Sequence, residues 1–112
     1  SIKKLTKNKN TLLLFWNPIY VSSKYISSRI NYLTDKFPQV QFIQIQIDGK
    51  QNEYIPQLDV KNQFFITPKS NANDFLTSKM PRAIILNKKG IITNGFASIS
   101  SIKTHTDLKK LK

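Results

Sequence analysis

The strongest signal along the chain is a change of hydrophobic period. Thr11 to Trp16 (TLLLFW) is a short unbroken apolar run, the pattern of a strand covered on both faces. Asn17-Pro18 ends it, because Asn disfavours strand and Pro forces a turn or a first helical position. From about Val21 to Phe37 the period lengthens. Ile26, Ile30, Leu33 and Phe37 recur at spacings of four, three and four, which places them on one face of a helix. Ser22 and Ser23 stand where serine hydroxyls cap such a helix, and Pro38 stops it. Val40 to Asp48 then alternates: Ile43, Ile45 and Ile47 face one way, Gln44 and Gln46 the other. Two glutamines on one face predict a strand near a sheet edge, or poorly covered on that side.

The middle of the chain is less patterned. A short helix is expected over Asn52 to Leu58, a strand-like stretch over Gln63 to Ile66, and another short helix over Asn71 to Thr77. The last third is sharper. Arg82 to Asn87 and Ile91 to Phe96 read as two strands joined by Lys88-Lys89-Gly90, a hairpin whose glycine takes the positive φ. Ser100 or Ser101 caps a final helix through Leu111, with Ile102, Leu108 and Leu111 inward. This order is a strand–helix–strand unit, which needs a right-handed crossover between parallel strands, followed by an antiparallel hairpin. The fold class is therefore α/β, with a mixed sheet of about four strands between helices on both faces.

Length sets this as one domain over residues 1–112, large enough for a single packed core. A chain that opens on Ser1 instead of Met is expected to be a mature or excised piece, such as the C-terminal domain of a longer protein. The apolar run 12–16 is far shorter than the roughly 20 residues of a membrane span. Lys and Arg number 18 against six acidic residues, a formal charge of +12. Such a balance fits a solvated basic surface or a site for an anionic partner, whether nucleic acid, lipid or acidic protein. The lysines gather before the first strand (Lys3, Lys4, Lys7, Lys9) and in the last segment (Lys103, Lys109, Lys110, Lys112). Only two of the basic residues are Arg, and no aromatic interleaving marks a nucleic-acid surface. One His and scattered carboxylates give no metal-ligand spacing, so no metal or cofactor is expected. The chain has no cysteine, which removes disulfides, thiolate ligands and thiol chemistry together.

Element order and two joints resemble the thioredoxin fold as a three-layer α/β/α sandwich. The nearest pattern is that of the thioredoxin-like, AhpC/TSA-related thiol–disulfide interchange proteins of the bacterial envelope. The first joint is LLLFWNPIYVSSK, residues 12–24. Active relatives carry an apolar strand ending Phe-Trp, two residues, then Trp-Cys-x-x-Cys and a basic residue. Without gaps, Phe15, Trp16 and Lys24 match, Ile19 takes the place of the Trp, and Tyr20 and Ser23 take the places of the two cysteines around Val21 and Ser22. The second joint, Met80-Pro81 before RAIILNKKGIITNGF, is similar to the family's cis-proline step and its hairpin. The resemblance covers the chain from about residue 10.

In such a fold the first Cys becomes a thiolate at a helix N-terminus and the second resolves the mixed disulfide. Tyr20 and Ser23 can do neither. What the resemblance implies instead is a redox-inactive, non-catalytic module with a peptide-holding groove formed by Trp16, Tyr20, Met80 and Pro81, taking an extended segment by strand addition. Each has a plainer role: Trp16 as core, Met80 as packing, Pro81 as a strand-start proline, Tyr20 as filler of the old pocket. A hydrolase using Ser22 or Ser23 with His105 lacks the G-x-S-x-G elbow. The family's setting implies the bacterial envelope or periplasm, with the cytoplasm as the alternative, and an unknown protein or peptide as partner.

Overall fold

The computed structural model describes residues 2–47, 53–66 and 81–111. Along the chain it runs α1 (Ile2–Thr6), β1 (Thr11–Trp16), α2 (Ser23–Lys36), β2 (Gln41–Ile47), a 3-10 turn (Val60–Asn62), β3 (Gln63–Ile66), β4 (Arg82–Leu86), β5 (Ile92–Ala97) and α3 (Ile102–Lys109). The strands form one five-stranded sheet in the order β3-β2-β1-β4-β5. β1 and β2 are parallel, as are β2 and β3, while β4 runs antiparallel to both β1 and β5. The strand–helix–strand unit and the hairpin are as the pattern predicts. The sheet has five strands, not about four, because Gln63–Ile66 pairs with β2 along Gln44–Ile47.

β1 is central, which explains its continuous apolar run. Leu12, Leu14 and Trp16 point to one face, where Ile26, Ile30 and Leu33 of α2 and Leu108 of α3 close the main core. Leu13 points to the other, joining Ile43, Ile45 and Ile47 under Ile2 and Leu5 of α1. Helices on both faces of a mixed sheet make three layers. The four-three-four spacing of α2 therefore delivers what it predicts: Ile26, Ile30 and Leu33 are fully buried and Phe37 nearly so. Ser22 caps α2 by accepting the Tyr25 N–H at 3.2 Å. The helix ends at Phe37, whose N–H still reaches the Leu33 carbonyl. Gly90 takes the positive φ, +78°, in the hairpin turn.

Three expectations change and one element is added. β2 lies one strand in from the sheet edge, but its glutamine face is not wet: Gln44 and Gln46 are as buried as the isoleucines opposite. The stretch expected as a helix before Leu58 is a turn leading into the 3-10 turn. Pro56 has no N–H to extend a helix, and Gln63 holds the neighbouring backbone of Ile55. Ile102 is 85% exposed; Thr104 takes the inward place, with Leu108 four residues on. Ser101 fixes that phase by capping the Thr104 N–H, and the Thr104 hydroxyl donates to the Ser98 carbonyl. Finally, residues 2–6 form a helix too short to announce itself by period, with Ile2 and Leu5 three apart on its packed side. The helix expected over 71–77 lies outside the described residues, as does the Met80–Pro81 peptide bond and with it the cis-proline expectation.

Candidate functional site

The joint between β1 and α2 is built by local hydrogen bonds. After Trp16 the Asn17 carbonyl accepts from the N–H groups of Tyr20 and Val21, and its side-chain oxygen accepts from Ile19 N–H at 2.9 Å. This is the turn that Asn-Pro favours. It lifts Ile19 and Tyr20 outward, where they are 59% and 53% exposed, while Val21 packs against the main core. The helix begins at Ser23 with Ser22 as its cap. Tyr20, which the resemblance sets at the place of the first cysteine, stands in the turn two residues ahead of the cap, and Ser23, which it sets at the place of the second, opens the first helical turn.

The second joint comes to the same end of the sheet. The antiparallel register sets Phe15 opposite Arg82, so Pro81 enters beside the carboxyl end of β1, next to Trp16. Pro81 is half-buried. Parallel strands β1 and β2 also end here, which is where open α/β sheets place their sites. Of the four residues expected to form a groove, the structure thus brings Trp16, Tyr20 and Pro81 to one end. Met80 lies outside the described residues.

Trp16 sits beneath this end, 1% exposed, and is held by a chain of buried amides that no local sequence window reveals. Its indole N–H donates to Gln44 Oε1 at 2.6 Å, and Gln44 Nε2 donates to Gln63 Oε1 at 3.0 Å. Gln63 then grips the loop before it: its Oε1 accepts the Ile55 N–H, and its Nε2 donates to the carbonyls of Ile55 and Leu58. Gln63 meets the Ile55 main chain as a neighbouring strand would. One strand-face residue further along, Gln46 accepts the Glu53 N–H at 2.9 Å. Gln44, Gln46 and Gln63 each have hydrogen-bond partners, which is the condition for keeping polar groups inside a core. The signal that could have found them is the third glutamine, Gln63, opening the strand that pairs with β2.

His105 is far from Ser22 and Ser23. It lies on α3 with its ring 5.4 Å from both Tyr32 and Phe37, near the carboxyl end of α2. Ser22 caps the opposite end, so at 1.5 Å per residue roughly 20 Å of helix separates them. Ser22, Ser23 and His105 therefore form no nucleophile–base pair.

The His105 ring has a different consequence. Burial first, then the positive charges of Lys36 and Arg29, hold it below its ordinary value near 6.5. Burial pushes the Asp107 carboxyl up, but hydrogen bonds from Asn94 and Lys103 and the charges of Lys103 and Lys110 outweigh this and bring it below its ordinary 3.8. Between the folded value of His105 and 6.5 the unfolded chain binds more protons, so stability falls as pH drops through that window. A second loss follows as pH falls through the depressed value of Asp107. Urea midpoints followed across this range should show both declines. His105→Gln should flatten only the first; an unchanged slope there would place the dependence elsewhere, although this is the only histidine in the chain.

No protein-family model matches the sequence, and a search of curated proteins returns no match. Solved structures do match. A candidate thiol–disulfide oxidoreductase from Bacteroides vulgatus superposes with a TM-score of 0.70 at 17% identity, covering 96% of this chain and 76% of that one. A candidate thiol:disulfide interchange protein DsbE from Chlorobium tepidum gives 0.68 at 13% identity, over 96% and 82% of the two chains. A secreted thiol–disulfide isomerase from Corynebacterium glutamicum gives 0.65 at 13% identity, over 96% and 71%. At these identities the likeness establishes the fold: the chain has a thioredoxin-like fold, and it carries no cysteine with which to do the chemistry those names describe.

Proposed function

From a thioredoxin-like fold without thiols, we propose a redox-inactive module that holds an extended protein or peptide segment at the end of the sheet where β1 meets α2 and β4 begins. The observation that carries this reading is the pairing of an exposed apolar and aromatic step, Ile19-Tyr20, with the entry of Pro81 beside Trp16. An exposed tyrosine over a rigid floor offers contact area at little entropic cost. Trp16 acts in this reading as the floor, fixed by Gln44, and Tyr20 with Met80 and Pro81 supplies the contact. The domain is non-catalytic in this reading. Its place is the bacterial envelope, in keeping with structural neighbours described as secreted.

Peptides selected by surface display on the wild-type domain provide the test. Their binding, titrated calorimetrically, should fall at least tenfold with Tyr20→Asp and with Met80→Asp, the ~1.4 kcal/mol loss expected when a central contact is replaced by a charge. Melting temperature should stay close to wild type for Tyr20→Asp, since that side chain is exposed. Peptide affinities indifferent to both substitutions would overturn the reading.

A further inference from the structure

The other end of the molecule gathers its lysines. Register places Thr11 opposite Leu86, so Lys9, just before β1, lies at the same end as Lys88 and Lys89 in the hairpin turn. Lys88, Lys89 and Lys110 border an open recess of about 620 Å³, and Lys9 and Lys88 border the one beside it. Lys36 and Lys109 line a third, at the carboxyl ends of α2 and α3. All six are exposed. Lys36 and Lys109 complement helix dipoles, which is reason enough for those two. Lys110, the C-cap residue of α3, shares that reason, whereas Lys9, Lys88 and Lys89 have no such explanation. Among the described residues lining these recesses Asp107 is the only carboxylate, and it is already engaged by Asn94 and Lys103.

Two apolar side chains stand in this basic end. Ile91 and Ile92, where the hairpin enters β5, are 56% and 57% exposed. The turn that presents them is rigid: Asn87 Oδ1 accepts from the N–H groups of Lys89 and Ile91, and the Asn87 N–H donates to the Ile91 carbonyl. Exposed isoleucines add nothing to contact with a phosphodiester backbone, and no aromatic ring lines the recesses of Lys9, Lys88, Lys89 and Lys110 for stacking. Lysines beside Ile91, with exposed Ile92 next to it in the chain, fit a bilayer interface, where the cations meet anionic headgroups and the isoleucines enter the acyl boundary. No helix among the described residues is long and apolar enough to cross a membrane.

The geometry points to this lysine-rich hairpin tip as a docking surface for an anionic lipid bilayer, which leaves the Tyr20–Pro81 end facing away from the membrane. This inference does not depend on peptide capture. Co-sedimentation of the 112-residue chain with vesicles tests it. Vesicles of equal parts phosphatidylglycerol and phosphatidylcholine should bind the protein at low salt and release it as salt rises, while pure phosphatidylcholine should not bind it. Losing about fivefold per lysine, Lys88→Glu with Lys89→Glu should weaken partitioning on the order of 25-fold or more. Ile91→Ser should weaken it severalfold with its circular dichroism unchanged. Failure to bind the anionic vesicles would overturn the proposal, as would binding indifferent to the double charge reversal. So would vesicle binding indifferent to Ile91→Ser together with tighter binding to duplex DNA, the result expected of a general polyanion surface.

Discussion

Replacing Gln63 by leucine will destabilise this domain by about 3–5 kcal/mol, far more than its polar character alone would imply. Leucine nearly conserves the volume, so little of this is cavity. The cost lies in what the amide leaves behind: the Ile55 N–H and carbonyl, the Leu58 carbonyl and Gln44 Nε2 would all lose a partner. A buried polar group left without one costs about 1–3 kcal/mol, and movement of the loop recovers part of the sum. Gln44→Leu should cost less, since it strands only the Trp16 indole N–H and part of Gln63. The double variant should lose less than the two singles added together, because both act through one network. Urea unfolding of the four proteins completes the cycle. A Gln63→Leu loss below ~1 kcal/mol would mean the loop finds other partners and the amide chain is incidental.

The second large effect is a cavity. Ile30 is fully buried at the middle of the α2 face, with Ile26 and Leu33 on either side against Leu12 and Leu14. Ile30→Ala should cost about 3–4 kcal/mol, through lost transfer energy and a void the rigid sheet cannot close. Ile30→Val should cost about 1 kcal/mol. Ile102→Ala on α3, chemically the same change, should fall within about 0.5 kcal/mol of zero because that side chain is 85% exposed. Unfolding midpoints with unchanged m-values would register this contrast. Equal losses at positions 30 and 102 would contradict the layer arrangement.

These two cases show where the sequence was readable. α2 announced itself because Ile26, Ile30, Leu33 and the C-cap residue Phe37 repeat a helical period, and its cap and stop are local chemistry. The hairpin was legible for the same reason: Gly90 answers a backbone need set by its immediate neighbours. The glutamines of β2 misled because alternation states only that a strand has two different faces. What covers a face is decided elsewhere in the chain, here by Gln63, 19 residues beyond Gln44. Ile102 misled similarly, since the phase of α3 is set by the Ser101 cap and not by its most apolar residue. The candidate site was legible only through resemblance. No property of Tyr20 or Ser23 themselves suggests a cysteine pair, and the expectation rests on the strand, turn and helix around them.

The amide chain under the joint has a practical consequence as well. Trp16 is the only tryptophan of the chain, so red-edge excitation that spares the four tyrosines reads one indole, buried and hydrogen-bonded to Gln44 at the end of the sheet where Pro81 enters. Its emission reports on a single place: the contact between β1, the glutamine face of β2 and the loop that Gln63 holds. Any event that opens that contact will appear as a wavelength shift without a label, and events confined to the lysine end will leave the spectrum silent.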